Sequence, residues 1–228
     1  NAWNRLDHRQ LEGFIYAITP FNFTAIGGNL PTAPALLGNV VLWKPSHTAS
    51  LSNWLFYRIL EEAGLPPGVI QFVPGDPVAV TDALLASRDF AGIHFTGSTA
   101  VFHQLWRKSA EHLDRYRSYP RIVGETGGKD FILAHPSADV AAFTTGLLRA
   151  AYEYQGQKCS AASRCYIPKS LWPEVRDRMA AEIAAMKVGD PADFGVFVGA
   201  VSDERAWTRL DDVLAEARVD AGVEIVAG

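Results

Sequence analysis

Cysteine is scarce. Two occur in 228 residues, Cys159 and Cys165. Their spacing matches neither a zinc site nor a disulfide framework, so a reducing compartment is the expectation. Long apolar runs are missing too, since Asn39 to Trp43 is only strand-sized, and this argues against a membrane-spanning helix. There is no basic excess: 21 Lys and Arg stand against 25 Asp and Glu, a formal net charge of −4. Nucleic acid and anionic membrane surfaces are therefore not expected partners. Internal repeats and low-complexity tracts are absent. The chain opens on Asn1 with no initiator methionine or signal peptide and stops at Gly228 with no terminating helix, so it reads as an internal excerpt of something longer. What is present is apolar bulk. With 48% hydrophobic and 11% aromatic residues, the chain can bury a sizeable core.

The hydrophobic pattern alternates between strand and helix. Phe14 to Thr19 reads as a buried strand ended by Pro20. The segment to Asn39 reads as a distorted helix, because Pro31 and Pro34 each remove a ladder hydrogen bond. Val40 to Lys44 is a second strand. Thr48 to Ala63 is an amphipathic helix with Leu51, Leu55, Ile59 and Ala63 on one face. Val69 to Val73, Gly92 to Phe95 and Arg121 to Gly124 are further strands, separated by helices from Asp76 to Ser87 and from Thr96 to about Leu113. Apolar strands alternating with helices imply a Rossmann-like parallel sheet with helices on both faces. Ligands in such sheets gather at the strand C-terminal ends. After Gly128 the pattern restarts with a strand (Asp130 to Ala134), a helix (Ala138 to Tyr154), a strand (Arg164 to Pro168) and two helices (Leu171 to Met186, Asp203 to Ala217). The expected division is therefore residues 1–127 and 128–228.

Four features carry candidate chemistry. Cys159 sits in a short glycine-containing turn after an apolar helix, where a thiolate can attack an electrophilic carbon. Read blandly, it is a small buried hydrophobe. Glu125 ends a strand and is followed by Gly127 and Gly128, whose lack of side chains lets the backbone approach something closely, and an acid there can face a cleft. The alternative is a solvated turn carboxylate. Asn22 follows the first strand, where its amide could donate to a developing oxyanion or simply serve the turn. Gly97 and Ser98 open a helix, whose N-terminus suits a phosphate, although ordinary capping by Ser98 or Thr99 accounts for them equally. Trp172 and Trp207 read as packing residues, Asp190 to Asp193 as a surface turn, and Cys165 as a buried strand residue.

Five ordered segments, Pro20 to Phe23, Trp43 to Ser46, Phe95 to Ser98, Glu125 to Lys129 and Gly156 to Ser160, resemble the successive signatures of the NAD(P)-dependent aldehyde dehydrogenase superfamily. Phe21 to Asn29, Leu113 to Tyr116, Pro120-Arg121 and Gly156 to Ala161 with Ser163-Arg164 resemble its 1-pyrroline-5-carboxylate (glutamate-γ-semialdehyde) dehydrogenase branch, in the form built as a separate enzyme. The resemblance implies a dinucleotide-binding domain over 1–127, partial at its start. It also implies the first part of an α/β catalytic domain over 128–228, the whole being an incomplete aldehyde dehydrogenase fold. Cys159 is then the nucleophile, Asn22 the oxyanion donor and Glu125 the base. Thiolate addition gives a thiohemiacetal, hydride loss to the nicotinamide gives a thioester, and water activated by Glu125 hydrolyses it.

By the same resemblance Ile18, Thr19, Pro20, Phe21, Lys44, Ser46, Gly75, Gly97, Ser98, Thr126 and Gly127 meet the cofactor. Phe23 and Ser160 meet the substrate, and no metal is needed. His47 stands where many members carry a glutamate that rejects a 2′-phosphate; NAD is the expected cofactor, with NADP left open. The implied reaction is oxidation of L-glutamate γ-semialdehyde to L-glutamate in proline catabolism. Full-length members are about twice as long, so the isolated chain is expected to be inactive. The parent is expected to be a homo-oligomer acting on a small-molecule aldehyde, in a bacterial cytoplasm or, if eukaryotic, the mitochondrial matrix. Competing readings are an aldehyde dehydrogenase for another semialdehyde or an aliphatic aldehyde, a cysteine hydrolase, and a non-catalytic relic of the fold.

Overall fold

A computed structural model describes residues 3–228. The chain divides into two compact units, Asn1–Gly127 and Gly128–Gly228.

In the first unit, β1 (Phe14–Ile18), β2 (Val40–Lys44), β3 (Ile70–Phe72), β4 (Phe90–Gly97) and β5 (Arg121–Thr126) form one sheet in the order β3-β2-β1-β4-β5. All four pairings are parallel. Side chains alternate across a strand, and this alternation divides the core. Ile15 and Ala17 of β1 join Leu30, Val41, Trp43 and Ile70 in one cluster, while Tyr16 joins Leu85, Phe90, Ile93, Phe95 and Leu105 in another. Tyr16 is fully buried, and its hydroxyl bonds Thr81 at 3.0 Å. Burial pushes its pKa up to about 12.

The helices α1 (Thr24–Leu36), α2 (Ser50–Glu62), α3 (Pro77–Leu85) and α4 (Thr99–Ala110) connect the strands. One expectation holds here and one is corrected. First, the helix read from the sequence is α1, with Pro31 and Pro34 inside it. Pro34 has no N–H to offer the Leu30 carbonyl, and His94 Nδ1 of β4 donates to that oxygen instead, at 2.9 Å. The lost ladder bond is replaced from the sheet. We expect His94→Leu to lower stability by about 1–3 kcal/mol, the cost of orphaning a buried carbonyl, read as a lower urea midpoint.

Second, the Leu51, Leu55 and Ile59 stripe of α2 is exposed, at 73%, 55% and 60%. The opposite stripe faces inward: Asn53 is fully buried, and Phe56, Tyr57 and Leu60 pack on the Trp43 cluster. That face carries two aromatic rings and buries more apolar area, which decides the rotation of the helix. The approach of α2 to α1 is close: a Cβ at Gly28 would lie 2.5 Å from the Phe56 ring.

The second unit holds a parallel pair, β6 (Asp130–Leu133) and β7 (Ala162–Tyr166), with helices α5 (Val140–Tyr152), α6 (Trp172–Ala185) and α7 (Glu204–Val219). Asp139 and Asp203 cap α5 and α7 by accepting from Ala142 N and Ala206 N. Trp207, expected to pack, is 59% exposed on α7, which has no buried residue. Asp190 accepts from the Asp193 amide at 3.0 Å and forms the expected surface turn.

Candidate active site

Parallel pairing brings the C-terminal ends of the strands to one edge of the first unit's sheet. Ile18 pairs with both Lys44 and Phe95, Thr96 with Glu125, and Gly97 with Thr126. The order reverses between β1 and β4, and this switch point is where open α/β sheets form their ligand crevice. The segments following β1 and closing β4 are Thr19 to Asn22 and Phe95 to Ser98. The cofactor-binding positions read from the sequence thus stand along one sheet edge, with Gly75 in the turn after β3.

Local bonds fix this edge. Trp43 Nε1 donates to Thr19 Oγ1 at 3.0 Å, and the Thr19 amide donates to the Lys44 carbonyl at 3.2 Å. Lys44 is 6% exposed, and its ammonium donates to the Pro45 carbonyl at 2.9 Å. Burial lowers its pKa, partly opposed by the charge of Asp76. Ser98 caps α4 by accepting from Val101 N at 3.3 Å, so the capping role considered for it is real. No acid stands in the first turn of α4, which leaves its positive dipole end unopposed within the helix. The Gly127 amide donates to the Gly97 carbonyl at 3.3 Å, and Thr99 Oγ1 donates to Thr126 Oγ1 at 3.1 Å, tying the ends of β4 and β5 together.

A buried cation, a serine beside it, glycines at two turns and a helix N-terminus with no acid in its first turn make a donor set suited to a dinucleotide's ribose hydroxyls and phosphates. Asn22 is half-buried between β1 and α1, whereas Glu125 is exposed near the end of β5. Phe23 is the extended residue preceding α1, and the Gly27 amide donates to its carbonyl at 2.9 Å. His47 is exposed at the start of a short 3-10 turn.

In the second unit Cys159 is a half-buried free thiol, and Ser160 beside it is exposed. The Ala161 amide donates to the Lys158 carbonyl at 3.3 Å, closing a turn around the cysteine. Cys165 is also free, on β7, and burial raises its pKa. A cleft of about 400 Å³ in this unit is lined by Cys165 but not by Cys159.

Two features of the Cys159 loop were not legible beforehand. Gly128, at φ +145°, lies so close that a Cβ there would fall 1.9 Å from the Cys159 carbonyl oxygen. The Gly127-Gly128 pair had signalled a close approach without naming its partner. The other feature is a left-handed turn. Tyr154 and Gln155 have φ of 55° and 56°, the only positive values outside glycine among the described residues, and Gly156 follows at 65°. Two such non-glycine residues cost roughly 2–4 kcal/mol. Sequence reasoning had no signal for it, since neither residue type favours that region.

Residues 3–228 match the aldehyde dehydrogenase family, and the chain belongs to that family. It is 54% identical over 229 residues to the mitochondrial delta-1-pyrroline-5-carboxylate dehydrogenase of Dictyostelium discoideum, covering 100% of this chain and 41% of that protein. Among solved structures, the NAD-bound Delta-pyrroline-5-carboxylate dehydrogenase of Mycobacterium tuberculosis matches with a TM-score of 0.95 and 53% identity, over 99% of this chain and 42% of that one. Proline Utilization A of Bradyrhizobium japonicum matches with a TM-score of 0.85 and 30% identity, over 92% of this chain and 22% of that one. The chain thus spans about two fifths of the length of the dehydrogenases it matches, and it stands nearer to them than to Proline Utilization A.

Proposed function

We propose that the protein carrying this chain oxidises L-glutamate γ-semialdehyde to L-glutamate with NAD, and that the 228 residues supply the cofactor edge and the nucleophile. The observation that carries the reading is the Cys159 loop itself. A half-buried thiol follows a strained turn, and its backbone lies against Gly128, three positions after Glu125. The 54% identity to a delta-1-pyrroline-5-carboxylate dehydrogenase supports the choice of aldehyde.

In the proposed mechanism the Cys159 thiolate adds to the aldehyde carbon. The Asn22 amide and the Cys159 N–H hold the resulting oxyanion. Bound NAD supplies the hydride acceptor that turns the adduct into a thioester. Glu125 takes a proton from water, which hydrolyses the thioester and frees the thiol. Lys44 and Ser46 hold the adenine ribose, and Ser98 with the amides of α4 holds the pyrophosphate; Ile18 to Phe21, Gly75, Gly97, Thr126 and Gly127 line the groove. Phe23 packs along the aliphatic part of the substrate, and Ser160 bonds its carboxylate.

We assign the protein to a bacterial cytoplasm, or to the mitochondrial matrix if its source is eukaryotic, and expect a homo-oligomer. The isolated 228-residue chain is expected to be inactive.

The deciding experiment follows reduced-nicotinamide absorbance in the full-length protein with glutamate γ-semialdehyde, succinic semialdehyde and propionaldehyde, each with NAD and NADP. The expected result is the highest kcat/KM for glutamate γ-semialdehyde with NAD. A higher kcat/KM on either comparison aldehyde would overturn the substrate assignment, and no nicotinamide reduction with any pair would overturn the reaction.

A further inference from the structure

We propose that Glu153 is a positioning residue for Cys159: by holding Lys158 and Arg149 it locks the left-handed turn that sets where the cysteine stands. The inference deepens the proposed function and rests on Cys159 being its nucleophile.

Residues 154 to 156 leave α5 with a backbone of reversed hand. Side-chain-bearing residues keep that conformation only where their surroundings over-determine it. Glu153 stands just before the turn and Lys158 just after it, and the Lys158 ammonium donates to Glu153 Oε2. The Arg149 guanidinium, one helical turn back on α5, donates to Glu153 Oε1 at 2.9 Å. The carboxylate therefore joins the last turn of α5 to the residue immediately before Cys159, closing a loop over the strained positions.

A second brace runs through Gln157. Its amide donates to the Tyr154 carbonyl at 3.0 Å, and its side-chain oxygen accepts from the Ser202 amide at 2.8 Å. The Lys158 side chain is 19% exposed and that of Glu153 39%, so solvent is held off the cation more than the carboxylate. The two cations pull the Glu153 carboxyl down to about 2. A depressed carboxylate contributes fully above its ordinary pKa of 4.5 and loses its contribution as pH falls toward 2, so the clasp stays closed throughout the neutral range.

All of these groups belong to the second unit, whereas the proposed cofactor positions belong to the first. Opening the clasp should therefore cost kcat and spare KM for NAD.

The test compares wild type, Glu153→Gln, Lys158→Met and the double variant in the full-length protein. Steady-state kinetics, thermal midpoint and hydrogen exchange of the 153–160 peptide are measured together. The expected result is a fall in kcat of about 10- to 100-fold for each single variant, the scale of a misplacement near 1 Å. KM for NAD stays within about two-fold of wild type, and the double variant is no slower than the singles. Exchange in the 153–160 peptide quickens while that of α6 does not. Unchanged exchange in this peptide overturns the proposal whatever the activity. Faster exchange across every peptide with a collapsed thermal midpoint also overturns it, because Glu153 is then merely structural. Should Cys159→Ser keep full activity, the functional reading fails instead, and the exchange result still decides whether Glu153 holds the loop.

Discussion

Cys159→Ser is expected to lower NAD-dependent aldehyde oxidation in the full-length protein by roughly 10⁶-fold, the scale seen when a covalent nucleophile is removed. A free thiol near neutral pH already holds a few per cent thiolate, and sulfur is intrinsically nucleophilic; a serine hydroxyl holds essentially none of its anion. Cys165→Ser is the matched control. Its thiol sits on β7 with its pKa raised by burial, so less of it is ionised, and near-wild-type turnover is expected.

The other proposed groups should fail at different steps. Asn22→Ala should cost about 10²–10³-fold, the usual loss on removing one oxyanion donor. Glu125→Gln should cost about 10²–10⁴-fold in steady state. It should nevertheless leave a stoichiometric first burst of nicotinamide reduction, because thioester formation precedes the step it serves. Rapid-mixing absorbance reads that burst directly. A Cys159→Ser protein retaining a tenth of wild-type turnover would sink the nucleophile assignment.

The parallel sheet was readable because each of its strands is a short apolar run ended by proline, glycine or a polar turn, and because helix-period segments alternate with them. Caps were readable as well, since Asp76 and Ser98 announce α3 and α4 by residue type. What escaped depends on partners distant in sequence. The α2 helix carries apolar side chains on two faces, and only the arrival of Trp43 and Ile70 decides which is buried. The continuity of α1 through Pro34 depends on a histidine 64 positions from Leu30. The prolines announced a helix short of ladder bonds, and the bond that makes up for Pro34 comes from the sheet. At the candidate site, residue types and order pointed to Cys159, Glu125 and Asn22. The handedness of the turn at Tyr154 and Gln155 belongs to the backbone, and nothing in those two side chains announces it.

Gly128→Ala is the second large effect expected. An added Cβ would lie 1.9 Å from the Cys159 carbonyl oxygen, 2.7 Å from its carbonyl carbon and 2.9 Å from its Cα. All three are backbone atoms, so no rotamer change relieves the clash; one strand of backbone must move. The φ of +145° adds strain for any residue with a side chain. Overpacking of this kind costs about 1–3 kcal/mol, with roughly another 1–2 kcal/mol from the dihedral. Because the atoms displaced belong to Cys159, the damage falls on chemistry more than on stability. We expect kcat to drop about 10²-fold, the consequence of shifting a reacting group by around 1 Å. Gly146→Ala supplies the contrast. It lies inside α5, a Cβ there meets nothing within 4 Å, and alanine should stabilise the helix by about 0.5–1 kcal/mol without changing turnover. Gly127→Ala should fall between the two, since its Cβ would meet only the Thr99 hydroxyl at 3.3 Å although its φ of +73° still opposes a side chain. The ranking in kcat, Gly128→Ala lowest and Gly146→Ala unchanged, is specific to a backbone contact on the nucleophile. Equal losses at all three glycines would mean that general destabilisation, not displacement of Cys159, sets the rate.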